Sequence, residues 1–392
     1  MRSTNQMASV LTIGVVTGSR ADFGLLVGVM RGIASSPVLS LRLFVTGMHL
    51  SPEFGDTWRE IEASGFTIDW RVDMLVSGDS STSVTKSLGL GVIGFAEAFA
   101  KVRPDLVLVL GDRYEILSAV QACLIARIPV AHIAGGDTTE GAVDESIRHA
   151  ITKMSHLHFV TNSDAANRVR QMGENPEHIF EVGSPGLDSI VGRPVLDREE
   201  LAESLGITLR ARLLAVTFHP ATLSLVSQTL EMQELLTALD RFDAESTVIV
   251  FTMPNADVGG RDLMFMVSEY VKTRVHTRAF KSLGRLKYLS LIAHADAVVG
   301  NSSSGLYEAP TFKTPTVNIG SRQNGRLQAA SVINCPAEAN AIERAIRSAF
   351  VLDTTQARNP YGDGSACSRI LAVLEALQSP ENLVHKTFYP AT

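Results

Sequence analysis

Residues 106–133 of the chain read LVLVLGDRYEILSAVQACLIARIPVAHI, with an apolar run at each end. Leu106–Leu110 and Val130–Ile133 are short and apolar, which favours buried strands, and the segment between them is long enough for a helix. Strands that alternate with helices of this length are typical of a parallel sheet covered by helices. Similar units precede and follow this one, so we predict an α/β protein.

The same alternation extends along the chain and divides it into two halves. Strands are predicted in the first half at 11–17, 41–46, 66–72, 106–110, 130–133 and 157–161, and in the second at 213–218, 247–252, 297–300 and 316–319. Around 183–198 the sequence becomes rich in Gly and Pro, which indicates a linker. We therefore predict two Rossmann-like domains facing a cleft. Their bounds are 1–185 and 186–365, and residues 366–392 form a C-terminal helix and tail that pack back on the first domain.

Composition limits the classes of function. The 392 residues are 45% hydrophobic, enough for two cores and too apolar for a disordered chain. The formal net charge of −6 disfavours nucleic acid and anionic membranes as partners. The cysteines are far apart without metal-ligand spacing, which suits a reducing compartment, and no stretch has the roughly 20 apolar residues of a membrane span. We expect a cytoplasmic protein that needs no metal.

Gly89, Gly91 and Gly94 match the dinucleotide-binding fingerprint G-x-G-x-x-G letter for letter. That fingerprint requires a strand directly before it, and here a polar stretch rich in Ser and Thr (80–88) precedes the first glycine. Glycines that allow close packing of a helix are the favoured interpretation. We therefore expect no nicotinamide or other cofactor.

Acidic and basic side chains concentrate in a largely apolar part of the first half. They are Asp112, Arg113, Glu115, His132, Asp137, Asp144, Glu145, Arg148 and His149. These residues lie at or just beyond the ends of predicted strands, the edge at which open α/β sheets bind ligands. The cluster is a candidate site for proton transfer, and ion pairing between the arginines and the acids is the structural alternative.

Two segments of the second half carry groups suited to phosphate. The segment GNSSSG (300–305) offers three hydroxyls and backbone amides at the start of a predicted helix. Glu308, in the first turn of that helix, can accept hydrogen bonds from ribose hydroxyls. Arg322 and Arg326 follow the strand at 316–319 and can counter a diphosphate, with a solvated loop as the alternative.

Three more segments directly follow predicted strands. The turn TGSRADFG (17–24) can hold an anion with its free amides and Arg20; the alternative is an ordinary turn in which Asp22 caps the helix. His219 and Asn255 follow strands of the second half and are predicted to point toward the same crevice.

Taken together, these segments resemble the hydrolysing UDP-N-acetylglucosamine 2-epimerases of sialic-acid and legionaminic-acid biosynthesis. The matching pieces are TGSRADFG (17–24), VTGMHLSPEFG (45–55), LGDRYE (110–115), DESIRHAITKMS (144–155), GNSSSG (300–305) and NIGSRQNGR (318–326). They span most of the chain in family order. The resemblance implies a glycosyltransferase-B-like fold of two Rossmann domains, with the nucleotide held mainly by the second, and a homodimer.

The resemblance also implies a two-stage reaction. A base removes the C2 proton of UDP-N-acetylglucosamine while UDP leaves C1, and water then adds to the resulting glycal to give N-acetylmannosamine. Asp112, Asp144 and Glu145 match the family's catalytic acids. The positions that match UDP contacts are Arg20, Arg113, His219, Asn255, Ser302, Ser303, Glu308 and Arg322.

One position departs from the family pattern. Many relatives have a catalytic glutamate after the His-Ile pair, and Ala134 stands there in this chain. Asp137, three residues on, joins the candidate acids, with Asp112 and Glu145 alone as the alternative. Other functions remain open: the same chemistry on UDP-2,4-diacetamido-2,4,6-trideoxyglucose, glycosyl transfer to an acceptor, and nucleotide-sugar binding without catalysis.

Overall fold

A computed structural model describes residues 10–78, 80–138, 143–220, 227–253 and 260–390, without the side chains of residues 143, 260 and 261. Within these ranges the strands are β1 (Leu11–Thr17), β2 (Leu39–Thr46), β3 (Trp70–Val72), β4 (Leu106–Leu110), β5 (Val130–Ile133), β6 (Leu157–Val160), β7 (Ile179–Glu181), β8 (Arg212–Thr217), β9 (Thr247–Thr252), β10 (Thr277–Phe280), β11 (Ala297–Gly300), β12 (Thr316–Ile319) and β13 (Val332–Cys335). The helices are α1 (Arg20–Ser35), α2 (Trp58–Ala63), α3 (Ser81–Lys101), α4 (Tyr114–Ala126), α5 (Val143–Met154), α6 (Ser163–Gln171), α7 (Pro185–Asp188), α8 (Arg198–Leu205), α9 (Gln228–Leu239), α10 (Gly260–Lys272), α11 (Gly284–His294), α12 (Ser304–Tyr307), α13 (Ala339–Ala349) and α14 (Ala366–Ala376).

The chain divides into two compact units, each built on one parallel sheet. Of the described residues, unit 1 contains those up to Ser189 and those from Gly362 onward, and unit 2 contains Ile190–Tyr361. The sheet of unit 1 has the strand order β3-β2-β1-β4-β5-β6-β7, and that of unit 2 has the order β10-β9-β8-β11-β12-β13. The prediction of an α/β protein with two Rossmann-like sheets is confirmed.

The order of the strands reverses once in each sheet. In unit 1 the reversal lies between β1 and β4, and in unit 2 between β8 and β11. Ligands of open α/β sheets bind in the crevice beyond the carboxyl ends of the strands at such a reversal. The loops that follow these four strands are therefore the candidate positions for a ligand site.

Four strands were missed or predicted far too long, and all four lie at the edges of their sheets; β2, β6 and β8 differ from their predicted bounds by one or two residues. β7, β10 and β13 were not predicted, and the strand predicted at 66–72 is reduced to β3. An edge strand is covered less completely than a central one, so its sequence need not be a continuous apolar run. The half-buried pattern of β7 and of β13 illustrates this.

Strand β4 shows how the core of unit 1 is built. Its side chains are buried throughout, with Leu108 packed into the cluster on one face of the sheet and Val109 into the cluster on the other. Phe95 and Phe99 of α3 stack within that second cluster, 5.6 Å between ring centroids. Burial of each such side chain contributes roughly 1.5–3 kcal/mol to the stability of the fold. The buried side chains on both faces therefore fix the position of β4, including its carboxyl end.

The fingerprint glycines lie inside α3, where two of them allow close packing. A Cβ added at Gly91 would lie 2.5 Å from the Oγ of Ser118 on α4, and one at Gly94 would lie 2.7 Å from Val72 Cγ1. Both distances are far shorter than real Cβ contacts. The interpretation of glycines that allow close packing of a helix is confirmed for Gly91 and Gly94, whereas nothing lies within 4 Å of a Cβ added at Gly89.

The C-terminal helix α14 packs against α1 of unit 1. A Cβ added at Gly28 of α1 would lie 2.8 Å from the Sγ of Cys367 on α14. The first turn of α14 is capped by Asp188, whose carboxylate accepts from the backbone N–H groups of Ala366 at 3.0 Å and of Cys367 at 2.6 Å. Within the described ranges, no helix is long and apolar enough to cross a membrane.

Candidate active site

Arg148 on α5 is the centre of the acidic cluster in unit 1. Its side chain is only 6% exposed, and its guanidinium forms an ion pair with the carboxylate of Asp112, which follows β4. The same guanidinium donates to the carboxylate of Glu145 at 3.2 Å and to the backbone carbonyl of Asp137 at 2.8 Å. One buried cation therefore brings together three of the four predicted catalytic residues.

The surrounding backbone explains why these groups meet. Gly111 has a φ of 81°, a value that glycine adopts without strain, and it turns the chain at the end of β4 so that Asp112 follows at the sheet edge. Glu145 and Arg148 are three residues apart on α5 and so share one helix face. Since a buried guanidinium must be paired, this geometry holds two carboxylates at a fixed separation.

Glu145 has a second partner in His149. The Nε2 of His149 lies 3.2 Å from the other carboxylate oxygen of Glu145, and the two side chains are 30% and 26% exposed. Both residues belong to α5, one turn apart. An imidazole in contact with a carboxylate can give a proton to it or take one from it.

His132 has a structural role instead. It is completely buried in β5, and this burial lowers its pKa to about 3, so the ring is neutral at physiological pH. Its Nε2–H donates to the carbonyl of Gly111 at 2.8 Å, which joins the ends of β4 and β5. His132 therefore positions the loop that carries Asp112 and stays outside the set of proton-transfer groups.

The other two candidate acids are placed differently from Asp112 and Glu145. The carboxylate of Asp137 accepts from the hydroxyl of Thr161 at 2.5 Å, so its side chain is held near the end of β6. Ala134, at the departure from the family pattern, has a φ of 62°. Asp144 lies in the first turn of α5 and is exposed.

Arg20 and Arg113 form ion pairs within unit 1. Arg113 donates to both carboxylate oxygens of the fully buried Glu115, at 2.7 Å and 3.2 Å. The side chain of Arg20 is 74% exposed and pairs with Glu60 at 3.0 Å. Both arginines therefore have a carboxylate partner in unit 1.

The first helix is capped by Ser19, not by Asp22. The Oγ of Ser19 accepts from the backbone N–H of Asp22 at 3.3 Å. Asp22 is buried instead, and this burial raises the pKa of its carboxyl. The alternative in which Asp22 caps the helix is therefore wrong, because Ser19 is the capping residue.

In unit 2, Asn301 joins the two loops that flank the strand reversal. Its side-chain carbonyl accepts from the backbone N–H of His219 at 2.7 Å, and its amide donates to the carbonyl of His219 at 2.8 Å. Gly300 has a φ of 136°, and a Cβ there would lie 1.9 Å from the carbonyl oxygen of Thr217. Only glycine at 300 allows β8 and β11 to approach this closely.

The loop after β12 converges on the same residue. Arg322 and Gln323 both donate to the backbone carbonyl of Asn301, at 3.2 Å and 2.8 Å. Ser302 and Ser303, directly after Asn301, are partly exposed. Three predicted UDP-binding segments, those with His219, the serines and Arg322, thus form one cluster.

Glu308 and Asn255 are the two remaining predicted UDP-binding residues of unit 2. The helix predicted to open after the serine loop is the four-residue α12, and Glu308 follows this helix instead of lying in its first turn. The expectation about Glu308's place in a helix was therefore wrong. Asn255 lies outside the described residues.

Helix α11 adds two residues that no motif indicated. Burial raises the pKa of Glu308, and the positive charge of Arg285 on α11 opposes this effect. Tyr288, one turn further along α11, is also buried, which raises the pKa of its hydroxyl. Tyr288 hydrogen-bonds to Ser302 of the serine loop. Because both residues lie on the side of a helix, the strand-end patterns could not indicate them.

The fold defines an α/β protein of two parallel-sheet units, each with a cluster of polar side chains at its strand reversal. Comparison with known proteins identifies the family. A family profile described as UDP-N-acetylglucosamine 2-epimerase matches residues 31–375. The chain belongs to this family of enzymes.

Individual relatives agree with this assignment. The chain is 40% identical over 334 residues to the GDP/UDP-N,N'-diacetylbacillosamine 2-epimerase (hydrolyzing) of Campylobacter jejuni, covering 85% of this chain and 86% of the relative. It is 35% identical over 371 residues to the UDP-N,N'-diacetylbacillosamine 2-epimerase (hydrolyzing) of Legionella pneumophila, covering 95% and 97%.

A solved structure shows the same fold. The UDP-GlcNAc 2-epimerase of Neisseria meningitidis, bound to UDP-GlcNAc, superposes with a TM-score of 0.72 at 16% identity, over 93% of this chain and 99% of that one. The glycosyltransferase-B-like fold implied by the sequence resemblance is confirmed.

Proposed function

We propose that this chain is a hydrolysing 2-epimerase that converts a UDP-2-acetamido sugar and water into UDP and the free 2-epimeric sugar. The observation that carries the proposal is the buried Arg148, which holds Asp112 and Glu145 together at the strand reversal of unit 1. Two carboxylates in one fixed, partly buried place suit a reaction that removes a proton and later returns one. The names of the Campylobacter and Legionella relatives support the same reaction.

The proposed chemistry has two stages. In the first, a base takes the C2 proton, the C2–H electron pair forms a C1=C2 double bond, and the C1–O bond breaks with its electrons left on UDP. In the second, water supplies a hydroxyl to C1 of the glycal, and C2 receives a proton on the face opposite to the first. The sum is one water consumed, one UDP released and one inverted C2 centre.

The contacts of the two carboxylates suggest their roles. Glu145 touches His149, an imidazole that can give a proton to this carboxylate. Asp112 is held by Arg148 at the end of β4. We assign removal of the C2 proton to Asp112 and return of a proton to Glu145, with Asp137 and Asp144 as further candidate acids.

UDP is assigned chiefly to unit 2. Partly exposed hydroxyls and amides around Asn301 are suited to diphosphate oxygens, and a guanidinium beside them counters the charge that develops as UDP leaves. The proposed contacts are Arg20, Arg113, His219, Asn255, Ser302, Ser303, Glu308 and Arg322. We also propose that the protein is cytoplasmic and that it forms a homodimer. Size-exclusion chromatography with light scattering would test the homodimer.

The proposed function is tested by incubating the protein with UDP-N-acetylglucosamine or with UDP-2,4-diacetamido-2,4,6-trideoxyglucose and no acceptor. We expect UDP and a free sugar inverted at C2, identified by NMR. Release of UDP only when an acceptor sugar is added would instead show a glycosyltransferase. Tight UDP binding without turnover of either compound would show a binding protein.

Replacing Ser302 or Arg322 with alanine is expected to weaken UDP binding by about tenfold or more, because each substitution removes a hydrogen bond to a charged diphosphate. Isothermal titration of UDP into each variant measures the effect. Ser321→Ala, an exposed serine of the same loop as Arg322, is the matched control and should bind UDP as the wild type does. Unchanged UDP affinity in both Ser302→Ala and Arg322→Ala would show that the diphosphate binds elsewhere.

A further inference from the structure

The end of the motif DESIRHAITKMS (144–155) has no part in the proposed chemistry. Lys153 and Met154 are the last two residues of α5, and Ser155 follows the helix. The same helix carries Arg148, five residues or about 7.5 Å before Lys153 along the helix axis. Contacts that hold the C-terminal end of α5 therefore also set the position of Arg148.

A lysine of the C-terminal tail contacts this end of the helix. The Nζ of Lys386 donates to the backbone carbonyls of Lys153 and Ser155, both at 2.6 Å. It also lies 2.6 Å from a carboxylate oxygen of Glu174. An ammonium has three N–H groups, so these three acceptors use all of them. Because the last carbonyls of a helix lack an intrahelical partner and form the negative end of its dipole, a cation at this place stabilises the helix end.

Glu174 is the buried centre of this contact. Its side chain is 1% exposed, and it also accepts from the Nζ of Lys153 at 2.8 Å and from the Nε2–H of His158 at 3.0 Å. Burial alone would raise the pKa of this carboxyl, but hydrogen bonds from His158, Lys153 and Lys386 lower it to about 2. Glu174 is therefore ionised at physiological pH and attracts both ammonium groups.

The tail has further contacts beside Lys386. The backbone N–H of Tyr389 donates to the carbonyl of Gly173 at 3.0 Å, and the ring centroid of Phe388 lies 5.1 Å from the Nζ of Lys153. A Cβ added at Gly173 would lie 2.3 Å from Cε2 of Phe388, so this ring packs directly on the glycine. Because these contacts do not involve the Lys386 side chain, a substitution of Lys386 is expected to leave the tail docked.

We propose that Lys386 is a positioning residue for the reaction. By holding the last carbonyls of α5, it fixes this helix along its axis so that Arg148 pairs with both Asp112 and Glu145. A shift of α5 by one residue, about 1.5 Å, is enough to misplace the guanidinium. Lys386 acts through the helix and takes no proton itself. The inference rests on the proposed function for the roles of the two carboxylates.

Lys386→Met removes the ammonium and tests this inference. We expect kcat to fall at least about tenfold while the Kd for UDP, which is assigned chiefly to unit 2, stays within about twofold of the wild type. Lys386→Arg restores a cation with several donors and should bring kcat back to within about threefold of the wild type. Lys313→Met is the matched control, because Lys313 also donates to a backbone carbonyl, that of Thr355 in unit 2 at 2.6 Å, and it should keep wild-type kcat.

Hydrogen exchange separates this inference from the proposed function, because it needs no substrate. The backbone amides of residues 148–154 are followed by mass spectrometry and should exchange at least about tenfold faster in Lys386→Met than in the wild type. Faster exchange in a protein that hydrolyses neither sugar nucleotide would support the hold of Lys386 on α5 and contradict the proposed function alone. Unchanged exchange, faster exchange with wild-type kcat, or a loss of kcat that Lys386→Arg does not reverse overturns the inference.

Discussion

The Asp112→Asn variant is expected to lose at least about a thousandfold in kcat while its affinity for UDP stays within about twofold of the wild type. An amide cannot take the C2 proton, although it is nearly isosteric with the carboxylate. UDP is proposed to bind chiefly to unit 2, whereas Asp112 lies in unit 1, where it pairs with Arg148. Rate measurements of UDP release and calorimetric titration of UDP provide the two quantities.

A matched control separates this effect from a general loss of charge. Asp262→Asn removes an exposed carboxylate from the first turn of α10, outside both clusters, and should keep wild-type kcat. Substantial turnover by Asp112→Asn would assign the base to another carboxylate. Glu145→Gln, which is also expected to abolish turnover with UDP binding retained, would then identify which carboxylate is required.

The second large effect is expected at Arg148. Arg148→Met should destabilise unit 1 by roughly 3 kcal/mol and abolish turnover, because the carboxylates of Asp112 and Glu145 and the carbonyl of Asp137 all lose a buried donor. Denaturant unfolding followed by circular dichroism measures the stability. Activity is measured on the fraction that remains folded.

Arg148→Lys keeps this prediction testable if the methionine variant does not fold. Lysine retains the positive charge but lacks the planar fork that contacts several acceptors at once. We expect a folded protein with kcat reduced at least about a hundredfold. Wild-type activity in Arg148→Lys would show that the arrangement of the two carboxylates does not depend on the guanidinium.

The sequence predicted the fold best where burial is complete. Central strands such as β4 and β11 are apolar throughout, and their predicted bounds agree with the structure. The errors concern the edge strands β3, β7, β10 and β13, whose sequences include polar and exposed residues. An edge strand forms because it pairs with one neighbouring strand. The pattern of apolar residues within its own segment does not show that this partner is present.

The site was predictable where its residues directly follow a strand. Asp112, His219 and the serine loop occupy such positions, since parallel strands place their carboxyl ends at one edge. The sequence places Arg148 in the charged cluster, but its central role depends on the approach of α5 to the end of β4, which no local pattern contains. Asn301 likewise acts through long-range contacts with His219.

Solvent isotope incorporation tests the central claim, that the acids held by Arg148 in unit 1 exchange the proton at C2 of a UDP-2-acetamido sugar as UDP leaves. The reaction is run to completion in heavy water, and the free sugar is examined by NMR and mass spectrometry. The account predicts one deuterium at C2 for each UDP released, with the C2 configuration inverted. Free sugar that retains the original hydrogen at C2 would contradict it.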